Sequence, residues 1–68
     1  MGLSYKKLWV KIAEQEMTKA DLRKKADFSP ATLTKLNKND LVAMSVLIKI
    51  CEILKCDIGD IVSVKRDD

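Results

Sequence analysis

The sequence predicts an all-α fold of five short helices around a central helix-turn-helix, on three observations. Apolar residues recur every three or four positions through most of the chain, the period of a helix face. Helix-start signals stand at Thr18, at Ser29-Pro30 and at Asp57. No segment shows the period-two alternation of a half-buried strand, although Ile61 to Val64 could extend briefly.

The first helix is expected at about 4–15. Tyr5, Leu8, Trp9 and Ile12 share one face, while Lys6, Lys7, Lys11 and Glu14 occupy others. Ser4 is its expected N-cap, the hydroxyl accepting an otherwise unpaired amide hydrogen. Thr18 caps the second helix, which carries Leu22 inward and runs to about Ala26; Asp21, three residues on, completes an abbreviated capping box. Asp27 interrupts the helix and Phe28 gives the connection an apolar residue. Ser29-Pro30 then opens the third helix: serine caps it, and proline at the first position gives up an amide that no helix could pair there. This helix carries Leu33 and Leu36 inward and ends near Asn37, where Asn37-Lys38-Asn39-Asp40 forms a polar turn. The fourth helix, about 45–55, has the clearest stripe, with Leu47, Ile50, Cys51 and Leu54 at i, i+3, i+4 and i+7. Ser45 is its candidate cap, a start one or two residues earlier being the alternative. Asp57 and Asp60 repeat the capping arrangement and introduce a short fifth helix, about 57–63, with Ile58, Ile61 and Val62 apolar. The tail from Lys65 to Asp68 is expected to fray.

The 68 residues provide for one domain, 1–68, whose 47% hydrophobic and 34% charged residues argue for a folded chain. Little chain is left for a catalytic cleft. Histidine is absent and the two glycines, Gly2 and Gly59, form no phosphate-cradling run, so an enzyme is not expected. Isolated carboxylates such as Glu14, Glu16 and Asp21 read as caps and surface charges. Cys51 and Cys56, without further ligands, cannot close a tetrahedral zinc site, and no metal or other cofactor is expected. Five residues apart on a helix they would stand about 140° from each other, so they are not expected to meet. Cys51 reads as a small buried hydrophobe and Cys56 as a residue near a helix end. No signal-peptide pattern follows Lys6 and Lys7, and no run nears the roughly 18 apolar residues of a membrane span. A cytoplasmic chain with reduced thiols is the expectation.

The formal net charge of +3 is unevenly spread. Residues 17–38 hold six basic residues (Lys19, Arg23, Lys24, Lys25, Lys35, Lys38) against two acids (Asp21, Asp27), a balance of +4. Residues 41–68 hold four basic residues against five acids, a balance of −1. The first half is built to meet an anion, though a solvated basic face is the plain alternative. The short helices flanking Ala26-Asp27-Phe28-Ser29 suit a steep crossing in which the second projects from the domain and can enter the roughly 12 Å major groove of DNA. Ala31, Thr32 and Thr34 are small or hydroxylated, so the backbone can approach base edges, and a threonine methyl can meet a thymine methyl. Lys35 reaches a guanine edge or a phosphate. Trp9 reads as packing under the first helix rather than stacking on a base, while Arg23, Lys24 and Lys25 fit a solvated surface as well as a phosphate clamp.

The runs Met17-Thr18-Lys19-Ala20-Asp21-Leu22-Arg23 and Phe28-Ser29-Pro30-Ala31-Thr32-Leu33-Thr34-Lys35-Leu36 resemble the Cro/phage-repressor-type helix-turn-helix regulators, also called the xenobiotic-response-element (XRE) family. The stretch from Leu47 to Ile61 resembles the helix pair that follows the motif in a compact bacterial subgroup, so the resemblance runs from about Tyr5 to Val62. It implies a five-helix lambda-repressor-like fold with the motif at about 17–38 and the recognition helix within Pro30 to Lys38. It also implies that Lys19, at the start of the preceding helix, contacts the DNA backbone or supports a base contact. The chain departs from the family at three places: the turn glycine is Asp27, a small alanine is Arg23, and the glycine after the recognition helix gives way to Asn37-Lys38-Asn39.

The expected function is sequence-specific binding of double-stranded DNA by a transcriptional regulator, a repressor before an activator, with no small-molecule ligand. Candidate DNA contacts are Lys19, Ser29, Ala31, Thr32, Thr34, Lys35 and Lys38, with Arg23 and Lys24 as candidate phosphate contacts. A single module buries only about 600–1,000 Å² on DNA, which predicts a homodimer on a pseudo-palindromic operator. Ile58, Ile61 and Val62 exceed what docking a terminal element requires and are the candidate dimer interface. The competing expectation is a protein-interaction module of the same fold, such as an antitoxin or anti-repressor subunit. Against it, a protein-binding helix would expose aromatic or aliphatic anchors, whereas this one offers Thr32, Thr34, Lys35 and Lys38.

Overall fold

Four α-helices, one 3-10 turn and two short strands make up residues 2–65, the part of the chain that the computed structural model describes. In chain order they are β1 (Gly2–Ser4), α1 (Lys6–Glu14), α2 (Lys19–Ala26), α3 (Pro30–Asn37), α4 (Met44–Leu54), the 3-10 turn (Ile58–Asp60) and β2 (Ser63–Lys65). The expected fifth helix is therefore corrected to a single 3-10 turn. Its capping box forms as predicted, with the Asp57 amide donating to Asp60 Oδ2 at 2.9 Å. Beyond it the chain from Ser63 to Lys65 extends as β2 instead of coiling. It pairs antiparallel with β1 in the register Gly2 to Lys65, Leu3 to Val64 and Ser4 to Ser63. Lys65 is thus held in a ladder rather than frayed; the rest of the expected frayed tail, 66–68, lies outside the described residues.

Ser4 belongs to β1 and does not cap α1, although its hydroxyl still accepts the Lys6 amide hydrogen at 3.3 Å. The N-cap position falls to Tyr5, which is fully buried and bonded across the molecule. Its amide donates to Asn39 Oδ1 at 3.0 Å and its hydroxyl to the Asp40 carbonyl at 2.8 Å. Burial pushes the Tyr5 phenol above its ordinary range. These bonds tie the entrance of α1 to the loop that leaves α3.

The helices end in a common way. Glu16, Asp27, Asn39 and Lys55 each follow a helix and each take a left-handed φ, between 54° and 60°. Asp27 therefore fills the turn glycine's conformational role, and Asp and Asn tolerate that region better than most residues. At Lys55 the reversal ends α4 and lets the Cys56 amide donate to the Cys51 carbonyl at 3.1 Å. Cys56 thus lies past the helix rather than on it, and its thiol is near enough to influence that of Cys51. Burial first, and Cys56 next, push the Cys51 thiol up to about 11. Ser45 is not the cap of α4 either: Ala43 holds that position without a side-chain bond.

The core is formed by Leu8 and Ile12 of α1, Leu22 and Ala26 of α2, Leu36 of α3, and Leu47, Ile50, Cys51 and Leu54 of α4. Tyr5, Phe28 and Ile61 close it from the connections. Burial of apolar area drives this assembly, at roughly 25 cal/mol per Å². Its consequence for function is that α2 is seated against α1 and α4, and α3 packs on α2 with Leu36 in the core and its outer face free.

Candidate nucleic-acid interface

The start of α2 is set by reciprocal hydrogen bonds, Asp21 N–H to Thr18 Oγ1 at 3.0 Å and Thr18 N–H to Asp21 Oδ2 at 3.0 Å. The Thr18 amide, then its hydroxyl, hold the Asp21 carboxyl below the usual carboxylate range. After Asp27 turns the chain, Ser29 caps α3 by accepting the Thr32 amide hydrogen at 3.2 Å, with Pro30 in the first turn. Both ends of the turn are thus fixed by short-range bonds that the spacing Thr18/Asp21 and Ser29-Pro30 encodes.

On α3, Ala31, Thr34, Lys35 and Lys38 recur at i, i+3, i+4 and i+7, which places them on one face, and all are exposed. Leu36 lies on the opposite side, fully buried; Leu33 is only half-buried against the core. Thr32 flanks the exposed face, its hydroxyl 3.1 Å from that of the exposed Ser29. The Thr34 hydroxyl donates back to the Pro30 carbonyl at 3.1 Å, so toward a ligand it presents a lone pair and a methyl. The face therefore offers one flat apolar spot, a hydroxyl acceptor with a methyl beside it, and two cations. Such a set matches base edges flanked by phosphates.

Lys19 lies elsewhere. Its ammonium donates to Asn37 Oδ1 at 2.7 Å and stands 4.2 Å from the centroid of the Trp9 ring. It thus reaches the C-terminal end of α3. Asn37 and Trp9 were absent from the sequence-derived site. The available signals were the polar run Asn37-Lys38-Asn39 in place of the family's glycine and the place of Trp9 on the apolar face of α1. Trp9 does pack against the core, half-buried, as expected. Of the remaining cations on α2, Lys24 is exposed and Arg23 half-buried, while Lys25 lines a shallow groove with Asp27, Lys49 and Glu52 beside α4.

The pattern of Cro/C1-type HTH DNA-binding domains matches residues 7–67. The chain belongs to that family. A solved structure, that of the transcriptional regulator VanUg, is similar to it with a TM-score of 0.93 and 41% sequence identity, over 97% of this chain and 88% of that one. No curated protein matches the chain. As a Cro/C1-type domain the chain is a helix-turn-helix DNA-binding protein.

Of the expected dimer residues, Ile61 is corrected by burial. Ile61 is fully buried in the chain's own core, and Ile58 and Val62 pack half-buried against it. They anchor the short terminal turn together with the Lys7 ammonium, which donates to the Gly59 carbonyl at 3.2 Å. The large apolar side chains left exposed are instead Leu41, Met44 and Ile48 around α4, with Val10 on α1 and Val64 on β2. Among the described residues, no helix is long and apolar enough to cross a membrane.

Proposed function

We propose that the chain is a transcriptional regulator that binds specific double-stranded DNA by laying the outer face of α3 in the major groove. The observation that carries this reading is the composition of that face: Ala31, Thr34, Lys35 and Lys38, exposed together, with Thr32 and Ser29 at its margin. Small and hydroxylated groups let the helix approach base edges, and the lysines meet guanine or phosphate. The likeness to VanUg, named a transcriptional regulator, supports the regulatory role. Repression by occupying an operator is the simplest mode for so small a chain.

A second surface belongs with this reading. Leu41 is 78%, Met44 57% and Ile48 49% exposed; Met44 and Ile48 stand one turn apart on α4, and Leu41 lies in the loop just before it. We assign this surface to a second copy of the chain, because two modules double the small contact that one makes with DNA. The dimer would then read half-sites about 10 base pairs apart or a multiple of that. Selection of bound sequences from a pool of random duplexes tests the whole reading. Enrichment of a pseudo-palindrome is the expected result. Binding at low salt without enrichment would overturn sequence-specific recognition, leave only charge-driven contact and favour an interaction module such as an antitoxin subunit.

A further inference from the structure

Lys19 begins α2, yet its side chain is committed to two other helices. The ammonium is 2.7 Å from Asn37 Oδ1 on the last residue of α3 and 4.2 Å from the centroid of the Trp9 ring on α1. An exposed lysine ordinarily samples many rotamers, and ordering it costs entropy. Here a hydrogen bond and a cation–π contact hold it in place before any ligand arrives.

The partners are both neutral, and that decides what the arrangement is good for. A carboxylate would have fastened Lys19 more strongly as a strut between helices, but it would also have cancelled the charge. The acid nearest in sequence, Asp21, is turned instead to the Thr18 amide at 3.0 Å. Held by an amide and a ring, Lys19 keeps its full positive charge for an anion. Asn37, with its oxygen turned to the ammonium, has its own amide hydrogens left for an acceptor. An ordered cation beside amide donors suits an acceptor-only group, which on a duplex means a phosphate oxygen. The position agrees: the first turns of a recognition helix meet base edges, so its far end lies toward the flanking backbone.

Resting on the DNA-binding reading above, we infer that Trp9 and Asn37 are positioning residues that hold Lys19 as a preformed clamp for one backbone phosphate. Neither needs to touch a base. They act by removing the ordering cost of Lys19 from the binding step.

The test is a set of salt titrations of the full chain on the duplex that selection enriches, followed by fluorescence anisotropy. Lys19→Ala should lower the slope of log K against log salt by about one unit, the signature of one lost phosphate contact. Trp9→Leu and Asn37→Ala should each weaken binding about two- to five-fold with the slope unchanged, because the charge remains. In the Lys19→Ala background Trp9→Leu should add nothing and Asn37→Ala only a fraction of its loss; with Lys19 present, Trp9→Phe, which keeps a ring face, should keep most of the binding that Trp9→Leu loses. In the free protein, the Lys19 side-chain protons should show an upfield ring-current shift that Trp9→Leu abolishes. Thermal melts monitor folding, and Asn37→Ala, at an exposed site, carries the test if Trp9→Leu unfolds. An unchanged slope in Lys19→Ala on a duplex that still binds would overturn the clamp while leaving DNA binding intact. So would equal losses from Asn37→Ala with and without Lys19. Failure of the unaltered protein to bind any duplex would overturn both.

Discussion

Asp21 shows how a single side chain sets up the motif. Its carboxylate closes the capping box at the start of α2, and the Thr18 amide and hydroxyl hold its pKa below the ordinary 3.8. A carboxyl depressed in the folded state contributes stability above its unfolded pKa and loses it as pH falls through the folded value. Melting temperature measured against pH should therefore fall below about pH 4, and Thr18→Ala should flatten that limb. Lys55 presents the opposite case, a residue strained rather than relieved. Its φ of 55° is left-handed, and a long side chain there has no local hydrogen bond to compensate. Lys55→Gly should raise stability by about 0.5–1 kcal/mol, visible as a melting temperature a few degrees higher. At Cys51 burial keeps the thiol protonated at neutral pH, so a thiol reagent added to the folded protein should modify the half-buried Cys56 first.

Elements followed from the sequence where their causes were local. The boxes at Thr18/Asp21 and Asp57/Asp60 and the Ser29-Pro30 start depend on atoms three residues apart or fewer, so spacing alone revealed them. The stripe of α4 likewise placed Leu47, Ile50, Cys51 and Leu54 in the core. What escaped was non-local. The pairing of Gly2 with Lys65 joins the two ends of the chain, and strands of three residues have no periodicity to read. Ile61 reads from its neighbours as a surface residue, and only the packed chain buries it. The link from Lys19 to Asn37 spans 18 residues and two helices, so helical spacing points to the exposed face of α3 but not to this contact beside it. Within α3 the burial ranks the leucines: Leu36→Ala should destabilise by about 2–5 kcal/mol, and Leu33→Ala by less, in denaturant titrations of each variant.

For the molecule as a whole, the decisive property is that one side is covered by cations and small polar groups while its supports are apolar. Tyr5 joins the two: its bonds to Asn39 and Asp40 hold the exit of α3 against the entrance of α1. Charge on the outer side acts on every duplex alike. Lys38→Ala should weaken all sequences about equally and reduce the salt slope by about one unit. The exposed Leu41, Met44 and Ile48 are the contact proposed for a second copy. Ile48→Lys should leave the melting temperature nearly unchanged, yet sedimentation on the selected duplex should show one copy bound where the unaltered protein shows two.

The face of α3 as the reader of base edges is tested most directly by selecting random duplexes with the unaltered protein and with Lys35→Ala in parallel. The predicted result is a pseudo-palindrome enriched by the unaltered protein, with preference relaxed at one base pair of each half-site in the variant, a loss of about 1–3 kcal/mol there. Identical enriched sequences from both proteins would contradict it and move recognition off Lys35 and its face.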